Sequence, residues 1–446
     1  MNPPSQPITD RRGQIIDLIK VRSFLVSAIL RSLDTDKTPI DQRRQVAEQS
    51  LLQIYAKTGL QLSDPVREQL FSEVLDELLG LGPIEPLLND PDITEVMVNG
   101  PRQVYIERAG KVTKTDIVFE NNEHVLRIIE RIVAPLGRSI DTDHPAVDAR
   151  LPDGSRVNCV IPPVAIDGPC ITIRKFSRDR LSMEELIKHG SLSEGMAEFL
   201  HACVVARLNI IISGGTGSGK TTLLNILSSF IPEEERIVTI EDAAELQLQQ
   251  EHVVRLETKI PNPDGSGGVT IRDLVRNSLR MRPERIVVGE CRGGESLDML
   301  QAMNTGHDGS LTTLHANTPR DAISRLETMT LMAGIDLPVR VVREQIASAV
   351  DLIVQLSRLR DGSRKVTQIT ELAGMEGDTV VLTDIFKFEQ TGISSDGIVI
   401  GDLKPTGIRP MFSSRLEIAG FKLRPEIFGV NVSEMLASNR RPQQRR

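Results

Sequence analysis

Apolar residues change their spacing along this chain, and each change marks a different kind of structure. Through residues 1–80 they recur every three or four positions among many charges, as on helices with one buried stripe. The segment 14–20 reads as an amphipathic helix. So do 41–57, with Val46, Leu51, Leu52 and Ile54 on one side, and 65–79. Gly80-Leu81-Gly82-Pro83 ends this N-terminal helical extension. From residue 84 short strands take over. Segments 93–98, 103–107 and 111–118 read as an antiparallel meander, joined by Asn-Gly and Ala-Gly turns. A helix over 123–134 follows, then strands near 146–151, 156–161 and 170–174, with Pro152-Asp153-Gly154 as a turn. This predicts a mixed α/β domain over 84–180 and a linker over 181–192.

The runs 208–213, 236–240, 253–256, 285–288 and 310–315 are nearly all apolar and alternate with helical stretches. Strands of that kind belong to a parallel sheet covered on both faces. The pattern therefore predicts an α/β domain over 193–365. A hairpin (365–371, then 379–389) opens a C-terminal hairpin and helical subdomain over 366–430. The stretch 431–446 reads as a basic, disordered tail ending Arg440-Arg441-Pro442-Gln443-Gln444-Arg445-Arg446.

Composition narrows the function. A length of 446 residues allows two or three domains, and a net charge of −8 with 3% aromatic residues argues against nucleic acid as a partner. The four cysteines, Cys159, Cys170, Cys203 and Cys291, lack metal-site pairing and read as reduced thiols of a cytosolic protein. No secretory signal and no apolar run of membrane-spanning length is seen, so a membrane role would be peripheral, through a protein partner.

The chemistry centres on Gly214-Gly215-Thr216-Gly217-Ser218-Gly219-Lys220-Thr221-Thr222, a phosphate-loop pattern between an apolar strand and a helix. Its glycines let backbone N–H groups curl round a polyphosphate, Lys220 reaches the β- and γ-phosphates, and the Thr221 hydroxyl holds Mg²⁺. Two further strands run into carboxylates. One leads to Glu241-Asp242-Ala243-Ala244-Glu245, the other to Gly289-Glu290. The carboxyl edge of a parallel sheet is where ligands bind, so these groups suit Mg²⁺ support and water activation. Helix capping is the alternative for Glu241 and Asp242. His307 and His315 frame the segment 305–315 and suit γ-phosphate sensing; zinc with Cys291 would need a further ligand that no spacing supplies. Arg150, Arg156 and Arg174 lie on or beside strands of the first α/β domain. They suit either a solvated face or developing phosphate charge.

The order of these motifs resembles the ATPases of type II and type IV secretion systems and type IV pili. Arg280-Met281-Arg282-Pro283-Glu284-Arg285-Ile286, Gly374-Met375-Glu376-Gly377, Phe386-Lys387-Phe388-Glu389-Gln390 and Thr406-Gly407-Ile408-Arg409-Pro410 look most like the CpaF-type motors of tight-adherence (Tad/Flp) pili. The resemblance spans roughly 80–430. It implies a RecA-like P-loop domain preceded by a PAS-like mixed α/β domain, in a cytoplasmic homohexamer working with inner-membrane pilus platform proteins. It also implies ATP and Mg²⁺ as cofactors and ATP bound between the two domains. Carried over by motif, Lys220 and Thr221 bind phosphate and Mg²⁺, Glu245 activates water, and Glu290 supports Mg²⁺ and the nucleophile. His307 and His315 sense the γ-phosphate, and Arg156 and Arg174 reach the phosphates. The strand before Glu290 carries no aspartate, so the roles of Glu245 and Glu290 stay open. A type IV secretion motor exporting effectors or DNA–protein complexes is the nearest rival. A nucleotide-gated binding module and a RecA-type helicase follow.

Overall fold

Helical spacing in the first eighty residues produces three helices: α1 (Leu18–Ser32), α2 (Ile40–Thr58) and α3 (Asp64–Leu79). They come from a computed structural model that describes residues 17–32, 40–108, 110–176, 181–261 and 265–429. The start of the expected 14–20 helix, the Arg178–Arg180 segment and the basic tail lie outside the described residues. Leu25, Ile29, Leu51, Leu70 and Val74 form the helices' shared core. Leu52 does not join it and stays 57% exposed, because one residue is a 100° turn of the helix away from Leu51.

The chain divides into two units, residues 1–178 and 179–446. In the first, the helical extension is not a separate piece. The Glu77 carboxylate lies 2.9 Å from His124 Nε2, and Arg131 donates to the carbonyls of Glu77 (2.8 Å) and Gly80 (2.6 Å). His124 Nδ1 accepts the Glu120 N–H, so Nε2 carries the hydrogen and donates to Glu77. After α4 (Glu85–Asn89) come β1 (Ile93–Asn99), β2 (Val104–Arg108), β3 (Lys111–Lys114), α5 (Asn122–Val133), β4 (Ala146–Arg150), β5 (Arg156–Val160) and β6 (Cys170–Arg174). The strands form one antiparallel sheet in the order β3-β2-β1-β6-β5-β4. Val125, Ile128, Ile129 and Ile132 of α5 share a core with Val96, Val98, Ile171 and Ile173.

The second unit opens with a correction. Residues expected as linker contain α6 (Met183–Lys188), closed by a capping box in which Ser182 and Glu185 each accept the other's backbone N–H. It continues through α7 (Glu194–Val205), β7 (Ile210–Gly214), α8 (Lys220–Ser228), β8 (Ile237–Glu241), β9 (Val253–Glu257), α9 (Ile271–Ser278) and β10 (Arg285–Val288). Then follow α10 (Glu295–Asn304), β11 (Leu311–Leu314), α11 (Pro319–Leu331), α12 (Val339–Ala349), β12 (Leu352–Arg358), β13 (Arg364–Glu376), β14 (Thr379–Ile393), β15 (Val399–Pro405) and α13 (Ser413–Ile418). Nine strands make one sheet, β15-β14-β13-β12-β7-β11-β10-β8-β9. The six from β12 to β9 are parallel, as the apolar runs predict. The expected C-terminal hairpin is not set apart: β13 to β15 extend the same sheet antiparallel. Both faces are covered, with Ile210 and Ile212 in one core and Ile211 in the other. Alternating sides with both buried leaves no polar position to fill, hence the unbroken apolar run. Among the described residues no helix is long and apolar enough to cross a membrane.

Among the described residues one charge sits wholly inside. Arg285 at the start of β10 is 0% exposed. It donates to Glu235 at 2.5 and 3.3 Å and to the carbonyls of Val204 (2.9 Å) and Gly309 (3.2 Å). Glu235 also lies 3.2 Å from Arg207 and keeps that ion pair, so Arg285→Ala, which empties a fully buried site, is expected to cost about 3 kcal/mol. A denaturant midpoint unchanged from the parent would remove that role.

Candidate nucleotide site

Register alone gathers most of the expected residues at one edge. Ser213 lies level with Leu314, Val288 with both Thr312 and Ile240. The phosphate loop, His315 and Glu290, which follow these strands, and Glu241, which ends β8, therefore emerge together at the carboxyl end of the sheet. Within the loop, Gly217 (φ +69) and Gly219 (φ +97) adopt left-handed backbone that a side chain would strain. The Ser218 hydroxyl donates to the Gly215 carbonyl at 2.8 Å. Lys220 and Thr221 open α8, where the helix N-terminus is electropositive. Thr222 stands one residue further in.

Lys220 is only 8% exposed. Its ammonium donates to the Gly215 carbonyl at 3.1 Å and stands 3.4–3.5 Å from both ring nitrogens of His315. His315 Nε2 in turn stands 3.0 Å from Glu290 Oε1. The other Glu290 oxygen accepts from Arg292 at 2.7 Å, and Arg292 lies 3.8 Å from Asp242. Burial, then the Lys220 charge, hold His315 below the ordinary imidazole value against the pull of Glu290. A neutral ring can accept from Lys220 through Nδ1 and turns Nε2 toward Glu290, whose Oε1 is buried and accepts no hydrogen bond among the described residues. Five charged or polar groups thus form one line, Lys220, His315, Glu290, Arg292 and Asp242. Glu241 is buried beside it, and burial raises its carboxyl above the usual range against two backbone hydrogen bonds. Glu245 follows in a segment without helix or strand.

The two histidines part company. His315 follows β11, whereas His307 precedes it, and four strand residues separate the sheet's two edges by about 13 Å. His307 packs its backbone against Ala302 and Ser310, with Nδ1 buried and unbonded among the described residues. The structure does not bring it to the loop of its own subunit. His315→Ala is expected to slow ATP turnover about tenfold or more, while His307→Ala leaves the affinity of the loop for ATP within about twofold. Steady-state hydrolysis and nucleotide titration check the pair; the opposite ranking removes the distinction.

In the first unit, Arg150 faces Arg156 across β4 and β5, Arg156 faces Arg174 across β5 and β6, and Arg174 faces Glu95. The three guanidinium side chains therefore share one face, with Glu95 3.8 Å from Arg174 at the end of the row.

Sequence reasoning passed over two arginines. Arg292 is signalled only by following Glu290 at two residues. Arg364, whose Nε donates to the Gly217 carbonyl at 2.8 Å, opens β13 with no local signal. Beside the loop a cleft of about 260 Å³ is walled by Leu186, Leu223, Leu356 and Val366. The positive-φ glycines, buried ammonium and helix start fit a polyphosphate. Among the described residues no cluster of three His, Cys, Asp or Glu could hold a metal alone. The Thr221 hydroxyl and the Glu290 carboxylate are the oxygen groups of this edge that would hold Mg²⁺ with the phosphates of a bound nucleotide.

A family model described as "Type II/IV secretion system protein" matches residues 77–387. The chain is 37% identical over 333 residues to a putative conjugal transfer protein of Mycobacterium tuberculosis, covering 73% of this chain and 94% of the relative. It is 33% identical over 333 residues to the type IV secretion system protein VirB11 of Bartonella quintana, covering 66% and 92%. The solved VirB11 ATPase of the Brucella suis type IV secretion system, in complex with sulphate, is 31% identical, covers 65% of this chain and 95% of its own, and superposes with a TM-score of 0.36.

Proposed function

This chain belongs to the type II/IV secretion system protein family, and we propose that it is the motor ATPase of a membrane-bound secretion or pilus machine. It is an ATP hydrolase. The observation that carries the reading is the line from Lys220 through His315 to Glu290 at the mouth of a phosphate loop. The loop N–H groups and Lys220 bind the polyphosphate, and the apolar-walled cleft beside them suits the base. Glu290, held by His315 and Arg292, keeps its carboxylate at the reacting edge, and Glu245 takes the proton of the attacking water. Bound Mg²⁺ would supply charge neutralisation at the phosphates. Arg156 and Arg174 are assigned to the terminal phosphate, with the arginine row of their sheet as the supporting feature. Two ligand-dependent arrangements of such a subunit convert binding energy into movement, because ATP can favour only the state it contacts better. A homohexamer docked on inner-membrane partners from the cytoplasmic side is the expected working form.

Two destinations remain. The segments around Gly374, Phe388 and Gly407 favour assembly or retraction of a Tad/Flp pilus, which is our first reading. The relatives, described as conjugal transfer and type IV secretion proteins, favour export of effectors or DNA–protein complexes at least as well. Removing the protein from its host separates them. Lost surface pili with unchanged substrate export support the first, and intact pili with lost export replace it with the second.

A further inference from the structure

Glu241 ends β8 at the same sheet edge as Glu290, yet its contacts run to backbone. It is 3% exposed. Its Oε2 accepts the N–H of Glu245 at 2.7 Å and of Leu246 at 2.9 Å. Its Oε1 is buried without a hydrogen-bond partner among the described residues. The side chain is pinned beneath Gly289, where an added Cβ would stand 2.9 Å from Glu241 Cγ. Residues 242–250 form no helix or strand. Their backbone is instead fastened by side chains: Glu241 on residues 245 and 246, Glu257 on Ala244 (3.1 Å) and Asn225 on Gln247 (2.8 Å).

We propose that Glu241 is a positioning residue whose carboxyl oxygen fixes the backbone at Glu245 and Leu246, so that Glu245 is presented to the attacking water, and that it neither transfers a proton nor binds metal. The inference rests on the reading of Glu245 as the water-activating group. A group with its acceptor oxygen committed to two backbone N–H donors and its surface closed by Gly289 has no path to substrate. Burial also favours its uncharged form. What such a site requires is an acceptor oxygen at the right reach, which glutamine supplies and aspartate, one methylene shorter, does not. A catalytic or metal-binding carboxylate has the opposite requirement, since aspartate keeps the charge and glutamine loses it.

Steady-state ATP hydrolysis by the full chain with Mg²⁺ separates the two. E241Q is expected to keep kcat within about threefold of the parent. E241A and E241D are expected to lose about 30-fold or more in kcat, with KM for ATP within about threefold. Retained ATP binding by each variant shows that it is folded; should E241A bind no nucleotide, the Gln-to-Asp ranking decides alone. Turnover by E241D above that by E241Q overturns the proposal, as does E241Q falling as far as E241A. E245Q is assayed beside them. If it is slow while E241Q is also slow, only the positioning role is lost. If E245Q turns over at the parent rate, the assignment of Glu245 fails and takes the positioning role with it.

Discussion

Lys220→Ala is expected to lower ATP turnover about 10³-fold or more, the largest loss from any single change in this chain. The reason lies in how the ammonium is stored. With 8% exposure and a carbonyl at 3.1 Å, Lys220 is already desolvated and aimed into the loop. A phosphate oxygen replaces the Gly215 carbonyl and the His315 ring as its partner, so little reorganisation is needed when ATP arrives. Alanine leaves the glycine cradle and the helix start intact, which preserves some affinity for phosphate. It removes the one charge that the loop buries. Lys220→Arg is expected to rescue poorly, because a planar fork cannot stand where a compact ammonium fits between loop and imidazole. Phosphate release measured alongside binding of a fluorescent ATP analogue checks both statements. Turnover within about tenfold of the parent in Lys220→Ala would remove Lys220 from the site.

Glu290→Gln should act differently, trapping ATP instead of losing it. Turnover is expected to fall about 10²-fold or more, with ATP affinity within about threefold. Glu290 is the only acid in the line described above that is held from both sides, by His315 at 3.0 Å and by Arg292 at 2.7 Å. Its hydrogen bond also raises Arg292 above the usual guanidinium value. Glutamine keeps the shape and one acceptor but places an NH₂ against a cation on one side or the imidazole on the other. The Lys220 side of the loop is untouched, hence the retained binding. Single-turnover phosphate release with ATP prebound distinguishes the trapped state from an empty one. A normal single-turnover rate would assign Glu290 to structure.

Much of this was readable from residue order. Strands buried on both faces betray themselves because every position is apolar, as in Ile210-Ile211-Ile212 and Ile286-Val287-Val288. The phosphate loop, Glu241, Glu290 and His315 follow such strands directly, so strand direction alone puts them on one edge. The same logic separates His307 from His315, since the expected strand 310–315 begins beyond the first and ends on the second. What could not be read are long-range pairings. An arginine in sequence reads as solvated surface, yet Arg285 is fully enclosed because Glu235, fifty positions away, closes on it. Helix α6 was missed because six residues carry too little periodicity, and only its Ser182–Glu185 cap marks it. Strands β13 to β15 were legible as a hairpin, but nothing local says which sheet edge a hairpin joins.

The clasp between α3 and α5 changes what it means to trim this protein. A cut placed at the apparent sequence boundary near Gly80 would take away Glu77, leave the enclosed His124 ring facing no acceptor, and deprive Arg131 of both carbonyls it holds. A shortened chain would thus be weakened before any question about the first eighty residues was asked. Point changes on the outward faces of α1 and α2, at Phe24 or Leu52, interrogate those helices without unpicking what fastens them.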